Sequence, residues 1–125
     1  MAVVNVKVAN IRPQGFMNLE QWVQDPMNVY IGRAGVVFID NMRYPKEQSI
    51  WANPYKVGEG KGKFTREHAL TLYEVYIRKR IRDEIGVAEL LKLKGKRLGC
   101  WCCPEACHGD VLVKLIQEAE EKGSV

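Results

Sequence analysis

Apolar and polar residues alternate through Val4-Asn5-Val6-Lys7-Val8, a period of two that sets one face of an edge strand on a core and the other in water. The period then changes. Leu19, Trp22 and Val23 share one face of a short helix from about Leu19 to Asp25, which Asn18 caps and Pro26 ends, because proline disfavours a helical residue before it. Val29-Tyr30-Ile31, closed by Gly32, and Val36-Val37-Phe38-Ile39, after Ala34-Gly35, are compact apolar runs that read as two strands paired across the turn between them. From Asp40 to Lys63 the chain carries Pro45, Pro54, Gly58, Gly60 and Gly62 among charged and aromatic residues, which predicts a long irregular loop. Leu70, Tyr73, Ile77 and Ile81 recur at helical spacing in a helix from about Arg66 to Ile85, capped by Thr65 and turned out at Gly86. A shorter helix, Val87 to Leu93, ends near Gly95, and Arg97 to Cys102 reads as a strand. Val111, Leu112, Leu115, Ile116 and Ala119 form the apolar stripe of a last helix that frays after Glu121.

Strands alternating with helices predict an α/β fold, a small Rossmann-like layered domain with a mixed, partly parallel sheet and helices packed on it. With 125 residues, 46% of them apolar, the expectation is one domain over 1–125 with a single core. No apolar run reaches the roughly 18 residues of a membrane span, and the N-terminus lacks the basic and long apolar regions of a secretion signal. The expected location is therefore the cytoplasm, that of the host cell if the protein is viral, with no membrane partner. Nothing in the pattern sets an oligomeric state. A balance of 19 Lys and Arg against 15 Asp and Glu, net +4, is compatible with a phosphate-bearing small molecule or nucleic acid as partner without requiring either.

Chemistry concentrates in Cys100-Trp101-Cys102-Cys103-Pro104-Glu105-Ala106-Cys107-His108-Gly109-Asp110, which runs from the last strand to the last helix. All four cysteines lie within this stretch, so a disulfide among them would close only a tiny loop, and a thiol or metal role in a reducing compartment fits better. Three readings stay open. Cys100, Cys102, Cys107 and His108 supply the soft sulfur and imidazole donors that suit zinc, with Cys100 and Cys102 projecting to the same side of a strand end. Against zinc, C-x-C-x4-C-H is not the familiar pair of C-x2-C motifs, and the neighbours Cys107 and His108 tend to diverge. Alternatively Cys107 is a nucleophile whose thiolate is favoured by the helix N-terminus, with His108 as its partner and Asp110 either orienting His108 or binding free N–H groups of the first turn. In the third reading the thiols are small buried apolar groups and His108 is a cap.

Ligands of such folds sit beyond the carboxyl ends of the strands. Gly32-Arg33 ends a central apolar run and can present a guanidinium there. Asn53-Pro54 fixes a turn and offers an amide, and the loop Lys56 to Thr65 brings Lys61, Lys63 and several glycines before the long helix. That loop matches neither the phosphate loop nor the dinucleotide fingerprint. Arg78-Lys79-Arg80 with Arg82 reads as a solvated helix end, and His68 as structural.

Val29-Tyr30-Ile31-Gly32-Arg33, Trp51-Ala52-Asn53-Pro54-Tyr55-Lys56-Val57-Gly58, the Thr65 helix and Gly99-Cys100-Trp101-Cys102 with Pro104 and Cys107-His108-Gly109-Asp110 together resemble domain of unknown function family 4326 over about positions 28 to 117. The resemblance implies an origin in a phage, a large DNA virus or a bacterium. It also implies that Arg33, Asn53, Cys100, Cys102, Cys107, His108 and Asp110 belong to the family's motifs, while supplying no reaction. Cys103 departs from the pattern, which favours a basic or polar residue there. The function expected is binding of a phosphate-bearing, nucleotide-like ligand at a strand-end site. In that site Cys107 and His108 are ligands or reactive groups, Arg33, Lys61 and Lys63 hold anionic oxygens, and Asp110 orients His108. The alternative is a zinc-binding interaction module without catalysis.

Overall fold

A computed structural model of the chain describes residues 2–102 and 105–125. The N-terminal alternation forms a shorter strand than its pattern predicts. Strand β1 spans Ala2–Asn5, and the chain then turns because Asn5 Oδ1 accepts the Lys7 N–H at 2.9 Å, a local bond that competes with the strand ladder. Val6 still donates its N–H to the Cys100 carbonyl at 3.0 Å, but Val8 opens helix α1, Val8–Ile11. A 3-10 turn, Arg12–Gln14, follows. Helix α2, Leu19–Gln24, is capped as expected, the Asn18 side chain accepting the Gln21 N–H at 2.9 Å.

Strand β2, Asn28–Tyr30, does not pair with the next apolar run. That run forms β3, Val37–Ile39, which pairs antiparallel with β4, Met42–Tyr44, inside the segment expected to be irregular. The two-residue turn Asp40-Asn41 joins them, both residues at positive φ (52° and 64°), the backbone whose twist suits a tight hairpin and which Asp and Asn tolerate. Strand β5, Arg97–Cys100, lies between β1 and β2 and is parallel to both, Val4 and Tyr30 lying opposite Gly99. The fold is thus α/β, with a parallel three-stranded sheet and a separate antiparallel pair.

These elements belong to one compact unit, the described residues up to Ala52 and those from Gly95 to Glu105. Val6, Ile11, Leu19 and Trp22 form its core, with Val4, Phe16, Val37, Tyr44 and Trp101 packed around them. The second unit comprises Asn53–Lys94 and Ala106–Val125. In it Thr65 Oγ1 accepts the His68 N–H and starts α3, Arg66–Arg80. A π-helical turn, Ile81–Ile85, continues α3 and closes at Gly86, at φ 91°. Helix α4, Val87–Leu91, packs on α5, His108–Lys122, and Ala69, Tyr73, Ile77, Leu90, Leu112, Leu115 and Ile116 are buried. No helix among the described residues is long and apolar enough to cross a membrane.

Helices α3 and α5 are also joined by charge. Arg78 reaches Glu118 at 2.7 Å and Glu74 at 2.9 Å, and Lys114 reaches Glu74 at 3.0 Å. Hydrogen bonds from Lys114 and then Arg78 hold Glu74 below the usual carboxyl range, and Arg78 does the same for Glu118. A carboxyl depressed in the folded state contributes stability that is complete above its unfolded value, about 4.3, and is lost as pH falls through its folded value. The urea midpoint is expected to be level from about pH 7 to about pH 5 and to fall below about pH 4. Arg78→Gln should make that fall shallower; an equally steep fall in the variant would place its source in other carboxyls.

Candidate functional site

The predicted residues fall into groups, each within one of the two units. In the second unit, Cys107 is the N-cap of α5, with an extended backbone (φ −139°, ψ 157°). Its Sγ accepts the Gly109 N–H at 3.4 Å, while Asp110 Oδ2 accepts the Cys107 N–H at 3.0 Å. This is a capping box with a thiol in the place usually taken by a hydroxyl. Asp110 is thus engaged with the N–H of the cap residue.

Cys107 and His108 converge despite being sequence neighbours, because the cap's backbone is extended where the next residue is helical; Sγ and Nδ1 lie 3.5 Å apart. The His108 ring stands edge-on to Tyr73 at 5.1 Å. Burial, and then proximity to Cys107, pushes the Tyr73 hydroxyl well above the usual phenol value, so it stays protonated. Arg66 Nη1 donates to the Ala106 carbonyl at 2.9 Å and steadies the approach to α5. The group joins a thiol, an imidazole and a helix N–H at one helix start. Against reactivity, Cys107 is only 2% exposed. Tyr73 and Arg66 were missed as site residues because the sequence shows Tyr73 as part of an apolar stripe and Arg66 as a first-turn charge.

In the first unit the three parallel strands end on one edge. There Tyr30 Oη donates to the Arg33 carbonyl at 2.8 Å and accepts the Trp101 Nε1–H at 2.9 Å. The buried Gly32 accepts the Ser49 N–H at 3.2 Å. Burial raises the Tyr30 hydroxyl above its usual pKa, against the opposing pull of the Trp101 bond and the Arg33 charge. Strand β5 stops at the buried Cys100, so the expectation that Cys102 continues the strand fails. Trp101 and Cys102 form a bend, with Asn5 Nδ2 donating to the Trp101 carbonyl at 3.4 Å and the Glu105 N–H to the Cys102 carbonyl at 2.8 Å. Cys100, Cys102 and Cys107 are in no disulfide with one another.

Asn53, in the second unit, is buried and makes the expected turn, its Oδ1 accepting the Tyr55 N–H at 2.8 Å. Lys61 and Lys63 are exposed on a loop closed at its base by the Phe64 N–H to Lys56 carbonyl bond at 2.8 Å. His68 has a partner the sequence did not reveal, the Phe64 ring at 5.3 Å. Among the described residues no group of three or more His, Cys, Asp and Glu side chains is arranged to hold a metal ion. Cys103 and Pro104 lie outside the described residues.

The profile of the domain of unknown function (DUF4326) matches residues 17–118, beginning upstream of the segment that the motifs mark. An uncharacterized 12.4 kDa protein of the nrdA-td intergenic region of Enterobacteria phage T4 is 41% identical over 69 residues, 54% of this chain. The match spans 60% of that relative's length. No solved structure matches the chain at a significant level.

Proposed function

This chain belongs to the DUF4326 family, and we propose that it binds a phosphate-bearing, nucleotide-like ligand at the carboxyl edge of its parallel sheet. The observation that carries the reading is the common direction of β1, β5 and β2, which gathers the chain after all three strands on one edge, where ligands of parallel α/β sheets lie. Arg33 follows β2 by three residues, its backbone held by Tyr30. A guanidinium can take two phosphate oxygens at once.

The test is calorimetric titration of the full chain with ADP. Arg33→Ala is expected to weaken binding about tenfold, the order of a lost charge-assisted hydrogen bond, at an unchanged melting temperature. Unchanged affinity in the variant would remove Arg33 from the site, and no binding to the parent chain would sink the reading. The competing proposal, a zinc-stabilised interaction module, is separated by elemental mass spectrometry of the same preparation: it requires about one zinc per chain, lost in Cys102→Ser.

A further inference from the structure

We infer that the base and phosphates of that ligand enter a cleft on the β1 side of the sheet edge, with Phe38 as the stacking surface and Lys7 and Arg12 as the anion contacts. The inference rests on the proposed function and adds to it a second region, since β1 and β2 flank β5 on opposite sides. The cleft has a volume of about 650 Å³ and is lined by Lys7, Val8, Arg12, Phe38, Asp40 and Trp101, among others. That volume is of the size that small-molecule sites occupy. Lys7 follows β1 and Trp101 follows β5, so the cleft opens at the same carboxyl edge.

Its lining is divided by chemistry. Arg12 Nε donates to the Met17 carbonyl at 3.1 Å, which anchors the stem of the guanidinium. Neither Lys7 nor Arg12 has an acidic partner among the described residues, so two positive charges face the cleft against the single carboxylate of Asp40. Phe38 is 67% exposed, an unusual place for a strand phenylalanine, and the Arg43 guanidinium lies 4.8 Å from its ring centroid. A cation on an aromatic face and a base stacked on the other are compatible, because both use the ring's π-system. Asp40 supplies an acceptor for ribose hydroxyls. Phosphate alone would leave the aromatic surface unused, and a nucleoside alone would leave the cations unused.

Titrations with ADP, adenosine and inorganic pyrophosphate separate these contributions. ADP is expected to bind the parent chain at least about tenfold more tightly than either fragment. Phe38→Ala, on an exposed hairpin, should weaken ADP about tenfold and leave pyrophosphate unchanged. The double variant Lys7→Gln/Arg12→Gln should weaken ADP and pyrophosphate by about tenfold or more and spare adenosine. ADP affinity that survives both variants but falls in Arg33→Ala would overturn the cleft and leave the proposed function standing. No binding of ADP to the parent chain would overturn both.

Discussion

Gly99→Ala is expected to lower the unfolding free energy by about 3 kcal/mol, the upper part of the usual range for overpacking. Gly99 lies in the central strand β5, and a Cβ built on it would stand 2.6 Å from Trp22 Cη2 and 2.7 Å from Val6 Cγ1. Real carbon contacts do not approach so closely, so something must move. Trp22 and Val6 are each 1% exposed and belong to one core cluster, which gives neither a vacant volume to retreat into. The strand is hydrogen-bonded on both sides, so its backbone cannot yield without disturbing β1 and β2. Urea denaturation should show a lower midpoint with an unchanged slope. A double-mutant cycle isolates the cause: Trp22→Leu should cost clearly less in the Gly99→Ala chain than in the parent, since it also relieves the contact. Additive effects would show that the ring is not what the new methyl meets.

The same glycine shows what a sequence can and cannot reveal. Helix starts were legible at Asn18 and Thr65 because a cap is a local bond between a side chain and an N–H three residues on. The stripe Val111, Leu112, Leu115, Ile116 and Ala119 was legible because burial of one helix face imposes its period on the chain, and all but the half-buried Val111 are buried. Strand partners were not, since β2 pairs with β5, far along the chain, and an apolar run of three residues carries no label for its neighbour. Met42–Tyr44 was hidden by its brevity and by exposed Met42 and Arg43, although Asp40-Asn41 was a turn signal that the reading of a long loop absorbed.

The candidate and proposed site residues divide in the same way. Cys107, His108 and Arg33 stand out in the sequence by residue type and by their position after strands or before a helix. Lys7 and Arg12 do not, because Lys7 filled the polar phase of an alternating strand that in fact bends at Asn5. Phe38 sits in an apolar run that reads as a strand, and only the hairpin's geometry leaves it exposed. Trp101 and Tyr30 depend on a hydrogen bond between β2 and the end of β5, a tertiary fact with no sequence signature.

Gly32→Ala is expected to weaken ADP binding at least as much as Arg33→Ala does, and to lower stability by about 2 kcal/mol, the loss of the Tyr30 hydroxyl's bonds together with the clash that displaces its ring. The backbone at Gly32 needs no special conformation; what it lacks is space. A Cβ there would run into Tyr30 Oη and stand 2.5 Å from Tyr30 Cζ, so the ring must swing away. Its hydroxyl is the junction of the edge, donating to the Arg33 carbonyl and accepting from Trp101. Displacing it frees the backbone that carries Arg33 and the indole that lines the cleft, and an added methyl thereby disturbs both proposed contact regions. Tyr30→Phe provides the comparison: it removes the two bonds without adding a clash and should cost about 1 kcal/mol. In a Tyr30→Leu chain the ring is gone, and Gly32→Ala should then change stability by less than about 0.5 kcal/mol. If Gly32→Ala proves as costly there as in the parent, the strain lies elsewhere in the backbone, and the Tyr30 junction is not what sets the edge.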